Sequence, residues 1–532
     1  MQHESLLTGA RSGPGEVPPS SFARRFPRWT MLLLPVAVWI WLCHDWPVRL
    51  GFFSDDWMVL LHPVSGTAAA YRDVLKLVQT RPASAPYIWF TQAIVDWSPA
   101  RSQLLNAAML LATAASVGML ASALASACRI RDGAMAAACV ASAFFIVFPS
   151  TVGTFAWGTG VIAIVPALPL FCLGMSLLLH SESSLLRFGL GLVLALLSHL
   201  SYEAFYFQEI TLALLVAALR GRSMRDIAWR VLAGAVMINV GCLAFNRSTH
   251  SGIHKSFNPD FLAIFISGYS RIGDIFLHAT REHDILIRAS VLGAALFGSF
   301  CLARIVGLAR VLLASLVVIC GIVAAGFLYA SAGYGLAAEG TMARVSIVIA
   351  TYAAVVSGVL AAAAWRAISS DRVPALAFCV CAAIGLLALG LTGRFRVGEW
   401  ADTWAYEKAR LSRLPTQEMS EASGQRIYLA IEDNHTLAIA PATAPWEISG
   451  AVAWAFYNAT NSRMLMASTW HNDWRWFATS SNWFNRWSGN SLTQGPCGGA
   501  VAYSASGAEL WSWKTSQATL TRVEAPWSIG CK

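Results

Sequence analysis

Two adjacent carboxylates, Asp55 and Asp56, sit in the tetrapeptide Ser54-Asp55-Asp56-Trp57, directly after the first apolar run of a 532-residue chain. Side by side they repel unless a metal, an arginine or a shared proton compensates. In a lowered dielectric one of them acquires a pKa suited to general-base work. Their plainer role is to cap a helix over Trp57-Met58-Val59-Leu60-Leu61. A third acid, Glu203, lies between two apolar runs with no basic residue beside it in sequence. An isolated acid there orients a hydroxyl, joins Asp55 and Asp56 around a divalent cation, or caps the helix that follows. The candidate cations are Arg81, Arg344 and the loop set Arg247, His250, His254 and Lys255, with Arg271 and Arg281 further along. Arg344 leads them, because a guanidinium at a helix end binds phosphate through two parallel bonds while staying beside lipid. Its alternatives are a snorkelling anchor and a partner for Glu339. His250 and His254 stand at i and i+4, a metal pair only if helical, and Gly252 between them argues for a loop. There is no zinc-type cysteine spacing; Cys379 and Cys381 read as small core residues.

These groups have to be held by membrane helices. With 56% hydrophobic and 13% charged residues, the composition is that of a polytopic α-helical membrane protein. Eleven apolar runs approach the length of about 20 residues that a span needs: 29–46, 102–127, 134–149, 158–180, 185–200, 204–219, 231–246, 285–303, 311–330, 343–364 and 373–392. Arginines alternate between the connections, and the positive-inside rule then puts the N-terminus in the cytoplasm with Arg129, Arg131, Arg187, Arg220, Arg304, Arg310, Arg366 and Arg372. The net charge of +9 is mostly this bias and implies no nucleic-acid partner. A polar leader of nearly thirty residues precedes the first run, which reads as a retained anchor rather than a signal peptide.

The same alternation gathers 47–101, 150–157, the turn at Ser201-Tyr202-Glu203, 247–284, 331–342 and everything from about 393 onto the outer face. Within 47–101, Tyr71 to Val78 is apolar at helical spacing and reads as an interfacial helix, broken by Arg81-Pro82. The chain divides into a cytoplasmic leader (1–28), a transmembrane domain (29–392) and an extracytoplasmic α/β or β-rich domain (393–532). That last region holds twelve of the 22 tryptophans, with strands expected at 426–431 and 499–503. Trp57, Trp470, Trp474 and Trp476 offer flat faces for stacking on sugar rings; packing in the core or at the membrane interface is the competing use. Cys497 and Cys531 are the only cysteines of the region and form a candidate disulfide.

This series of features resembles the membrane-embedded C-type (GT-C) glycosyltransferase superfamily, which uses polyprenyl-phosphate sugar donors. The resemblance rests on Phe52-Phe53-Ser54-Asp55-Asp56-Trp57 in the first outer loop, Arg81-Pro82, a span opened by Pro99 and Asn106, Leu200-Ser201-Tyr202-Glu203, and Gly340-Thr341-Met342-Ala343-Arg344. It covers about the first 390 residues. Ala83, Leu111 and Tyr202 stand where many relatives carry Leu, His and Lys, so no sugar or subfamily follows. The resemblance implies an inverting transferase of a bacterial inner (cytoplasmic) membrane, acting on a glycan, lipid or protein acceptor. Asp55, Asp56 or Glu203 would serve as catalytic acids, and Arg344, Arg81, His254 and Lys255 would hold the donor phosphate. No cofactor is required, although a divalent metal on Asp55, Asp56 and Glu203 is compatible with it. An outer-leaflet glycan polymerase or ligase uses similar substrates, and a transporter is the alternative from another class.

Overall fold

The structure is a computed structural model that describes residues 31–53, 56–59, 71, 74–75, 78–79, 81–180, 184–220, 225–248, 259–270, 284–331, 334, 340–368, 372–416, 426–431, 437, 445–460, 476–479, 483–489, 491–496, 501–504, 509–514 and 516–529. The helices that matter for the site are α1 (Leu33–Cys43), α2 (Asp56–Val59), α3 (Ala85–Val95), α4 (Pro99–Ala127), α5 (Ala134–Val147), α6 (Pro149–Ala156), α7 (Gly158–Ile164), α8 (Ala167–Leu179), α9 (Leu185–His199), α10 (Gln208–Arg220) and α11 (Arg225–Ser248). They continue with α12 (Phe261–Ser270), α13 (Asp284–Val306), α14 (Leu308–Ser331), α15 (Ile347–Ala367), α16 (Arg372–Leu411) and α17 (Pro445–Thr460).

Helix covers most of each of the eleven apolar runs, but the span count differs from the sequence expectation. Among the described residues, six helices are long and apolar enough to cross a membrane, or seven if α5 and α6 form one bent span. Other runs fall short, such as the 13 residues of α10 and the apolar stretch Val231–Phe245 within α11. The bend of 64° falls at Phe148-Pro149. Proline disfavours the α conformation at the residue before it, and Phe148 is extended at φ −64° and ψ 131°. The expected turn at 150–157 is therefore mostly helical.

Small residues set the packing of the bundle. A Cβ on Gly118 would lie 2.6 Å from the Ala138 carbonyl oxygen, one on Gly358 2.6 Å from that of Ala137, and one on Gly133 2.5 Å from that of Ala362. Close backbone approach gives α4, α5 and α15 their contact in the absence of a hydrophobic force between helices in lipid. On α13 and α14, by contrast, Leu292, Leu296, Leu312 and Leu316 are exposed, a surface suited to lipid.

Helix α16 continues through position 393, the boundary expected from sequence for the transmembrane domain. It runs 40 residues without a break, about 60 Å at 1.5 Å per residue, twice the hydrocarbon thickness. Arg394 fastens its middle to the end of α1 through a two-pronged pair with Asp45 at 2.7 and 2.9 Å. The remaining turns carry Trp400 and Trp404 onto the loop that precedes α2.

Beyond α16 the described strands form two four-stranded sheets. One has the order β2 (Trp476–Thr479), β1 (Arg426–Ile431), β6 (Glu509–Lys514), β7 (Leu520–Arg522), with β1 parallel to both β2 and β6. The other is antiparallel, in the order β5 (Val501–Ser504), β4 (Ser491–Pro496), β3 (Trp483–Trp487), β8 (Trp527–Ile529). Helix α17 lies in sequence between the parallel strands β1 and β2, the place of a crossover helix. This crossover helix lies against α2. A Cβ on Gly450 would come within 2.2 Å of the Trp57 carbonyl oxygen. Gly450→Ala is expected to cost about 1–3 kcal/mol through overpacking. Gly241→Ala, on a helix face with nothing within 4 Å, should not destabilise. Thermal unfolding of the purified protein in detergent distinguishes the two, and an unchanged Tm for Gly450→Ala would remove α17 as a support of the loop.

Candidate functional site

The loop before α2 closes on itself through Asp56. The Asp56 N–H donates to the Phe53 carbonyl at 2.9 Å, and the Phe53 N–H donates back to the Asp56 carboxylate at 3.1 Å, so the turn is closed in both directions. The same carboxylate accepts from the N–H groups of Gly158 and Thr159, at 3.2 and 2.5 Å, and from the Thr159 hydroxyl at 2.8 Å. Gly158 and Thr159 begin α7, whose first N–H groups have no partner within the helix. Asp56 thus caps a helix a hundred residues away rather than merely its own. It is fully buried. Desolvation pushes its carboxyl up to about 7, against the opposing pull of the donors from Thr159, Phe53 and Gly158.

Aromatic rings surround this capped loop. Phe53 meets Trp400 at 4.6 Å, Phe52 meets Trp57 at 5.4 Å, and Trp57 contacts Trp404 and Trp454 at 6.0 and 5.9 Å, mostly edge to face. Trp57 is wholly buried in this cage, so the structure makes it core and not a surface for an acceptor. The Gln103 amide adds hydrogen bonds to the carbonyls of Gly51, at 2.7 Å, and Ala156, at 3.1 Å.

Trp157 connects the capped loop to Arg344. Its indole N–H donates to the Phe53 carbonyl at 3.0 Å, and the Arg344 guanidinium lies over its ring, 4.7 Å from the centroid. Arg344 is half-buried in the 3₁₀ segment Gly340–Ser346. It has no ion-pair partner among the described residues, and Glu339 lies outside them.

Glu203, which has no basic residue beside it in sequence, meets Arg81 from 122 positions away. Arg81 Nε donates to one carboxylate oxygen at 2.8 Å and Nη2 to the other at 2.5 Å. The guanidinium also lies over the Tyr202 ring at 4.6 Å. Its pKa is raised: burial acts to lower it, but Glu203 outweighs that. Glu203 opens a 3₁₀ turn over Glu203–Phe205, and α10 begins only at Gln208, so Glu203 does not cap that helix. Ala83 and Ser84 bond to the carbonyls of Leu200 and Ser201, which fastens the two segments together.

Asp55, His254, Lys255, Trp470, Trp474, Cys497 and Cys531 lie outside the described residues, as do His250, Arg271 and Arg281. Trp476 is in β2, with only its backbone described. The metal set Asp55, Asp56 and Glu203 is not assembled among the described residues, which contain no group of three potential ligand side chains. Sequence reasoning missed Trp157, Gly158 and Thr159, although they border a segment already assigned to the working face. It also missed His199 and Glu209, buried 3.0 Å apart beneath the Glu203 turn, with Tyr206 stacked on the imidazole.

No family model matches the chain, and no curated protein or solved structure matches it.

The capping arrangement predicts a graded stability series. Asp56→Asn turns an amide N–H₂ toward two N–H or O–H donors, and each orphaned buried donor costs about 1–3 kcal/mol. Thr159→Val removes a single hydroxyl donor and should cost less. Equal Tm values for wild type and Asp56→Asn would mean that the carboxylate does not hold the loop.

Proposed function

We propose that this chain is an inverting glycosyltransferase that moves a sugar from a polyprenyl-phosphate donor to an extracytoplasmic acceptor. The observation that carries the reading is the link from the Asp56 capping carboxylate through Trp157 to Arg344. It puts an acidic turn and a cation for phosphate at one end of the helix bundle.

The division of roles between the two aspartates is inferred from the burial of Asp56. The Asp56 carboxylate is buried and accepts four hydrogen bonds, which suits it to positioning the turn. Asp55 is then the general base. It takes the acceptor hydroxyl proton as that oxygen attacks the anomeric carbon, and the bond from this carbon to the donor phosphate oxygen breaks on the opposite side. The electron pair leaves with the polyprenyl phosphate, and Arg344 stabilises the charge gained by the departing anion. Stacking on Trp157 restricts the guanidinium plane, so less side-chain entropy is lost when phosphate binds. The Arg81 and Glu203 pair fixes the far end of the same loop.

Membranes assayed with radiolabelled polyprenyl-phosphate sugars test this. Asp55→Asn should lower transfer roughly 10²- to 10⁴-fold, the usual weight of a general base. Arg344→Ala should weaken donor binding while leaving the Tm near wild type. Full transfer by both Asp55→Asn and Asp56→Asn would sink the assignment. Sugar accumulating in reconstituted vesicles without transfer would move the chain to the transporters.

A further inference from the structure

A second site lies at the opposite end of the bundle. A cavity of about 820 Å³ opens between α4, α5, α8 and α9. Met119, Met135, Leu173, Leu177 and Leu194 form much of its wall, and Arg131, His180 and Arg187 supply basic groups. The basic residues stand where the helices end: Arg131 in the 3₁₀ turn before α5, His180 at the C-cap of α8, and Arg187 in the first turn of α9. By the arginine distribution these ends are cytoplasmic. Two of the basic groups are held in place. His180 Nδ1 is 2.8 Å from the Ser176 carbonyl oxygen, and Arg187 Nη1 donates to the His180 carbonyl at 3.4 Å. Among the described residues, Asp132 is the only acid lining the cavity and neither arginine has an ion-pair partner.

An apolar hollow among helices with two arginines and a histidine around it matches an amphiphile with an anionic head. A lipid phosphate would take charge-assisted bonds from the arginines while its acyl chains lie along the methionine and leucine wall. The volume is in the range of sites that enclose a molecule of several hundred daltons. A zwitterionic headgroup brings its own cation to a site with excess positive charge, so a net anionic headgroup fits better. We propose that this cavity binds an anionic glycerophospholipid of the cytoplasmic leaflet.

The test uses the full chain in phosphatidylcholine nanodiscs, with phosphatidylglycerol added stepwise and Tm read at each step. Phosphatidylglycerol should raise the Tm of the wild type. Arg131→Ala/Arg187→Ala should need a higher lipid fraction for the same shift, roughly fivefold per arginine removed. Arg310→Ala, on another inner connection, should respond like wild type. If the double variant fails to fold in pure phosphatidylcholine, Met135→Trp, which fills the apolar wall and keeps both arginines, should lose the increment instead. An unchanged response in the variant that folds overturns the proposal. So does an equal Tm rise from inorganic phosphate, which would make the site one for a free anion.

Discussion

A carboxylate removed from water has to recover its lost solvation from fixed donors, and the region around Asp56 is organised by that requirement. Three backbone N–H groups and one hydroxyl converge on it, from Phe53, Gly158 and Thr159. Two of the N–H groups begin α7 and would lack an intrahelical partner in any case, so the acid and the helix end satisfy each other. Loop and helix are thereby set in one register, and Trp157, the residue before α7, is set with them. The Arg344 guanidinium can lie over its ring only because the ring is already fixed from the other side.

The aromatic cage supports this arrangement through burial rather than hydrogen bonding. Phe52, Phe53 and Trp57 come from the loop, Trp400 and Trp404 from the projecting half of α16, and Trp454 from α17. Three distant stretches of chain therefore share one cluster beside the buried Asp56. The requirement for close approach is sharpest at two glycines. Gly51 faces the Trp404 ring and Gly450 the Trp57 backbone, each within reach of a clash for any added Cβ. The C-terminal region is in this sense part of the site, since its crossover helix presses on the acidic turn.

Charge is distributed unevenly around the loop. Arg81 and Glu203 neutralise each other and are only half-buried, so their pairing contributes modestly to stability and mainly fixes geometry. Arg394 and Asp45 do the same at the middle of α16. Arg344 differs, with an aromatic face as its contact and no carboxylate partner among the described residues. That contrast, and not sequence position, sets Arg344 apart from the arginines that brace the fold.

Much of the architecture was legible in the amino-acid sequence, because hydrophobic run length and arginine placement are one-dimensional properties. The helical nature of the apolar runs and the strand β1 follow from them. The number of helices able to cross a membrane was less legible, since a run of fixed apolarity becomes a long helix, a short one or a bent pair according to its neighbours, as at Pro149. The continuity of α16 past Arg394 was hidden for the same reason: falling hydropathy marks the end of a span, not the end of a helix. Most of the site was decided by tertiary structure alone. The pairing of Arg81 with Glu203, the burial of Trp57 and the capping of α7 by Asp56 join residues about 100 or more positions apart, and no local pattern encodes which donor meets which acceptor. The sequence determined which groups stand near one end of the bundle; only their packing decided which of them are consumed in holding it together.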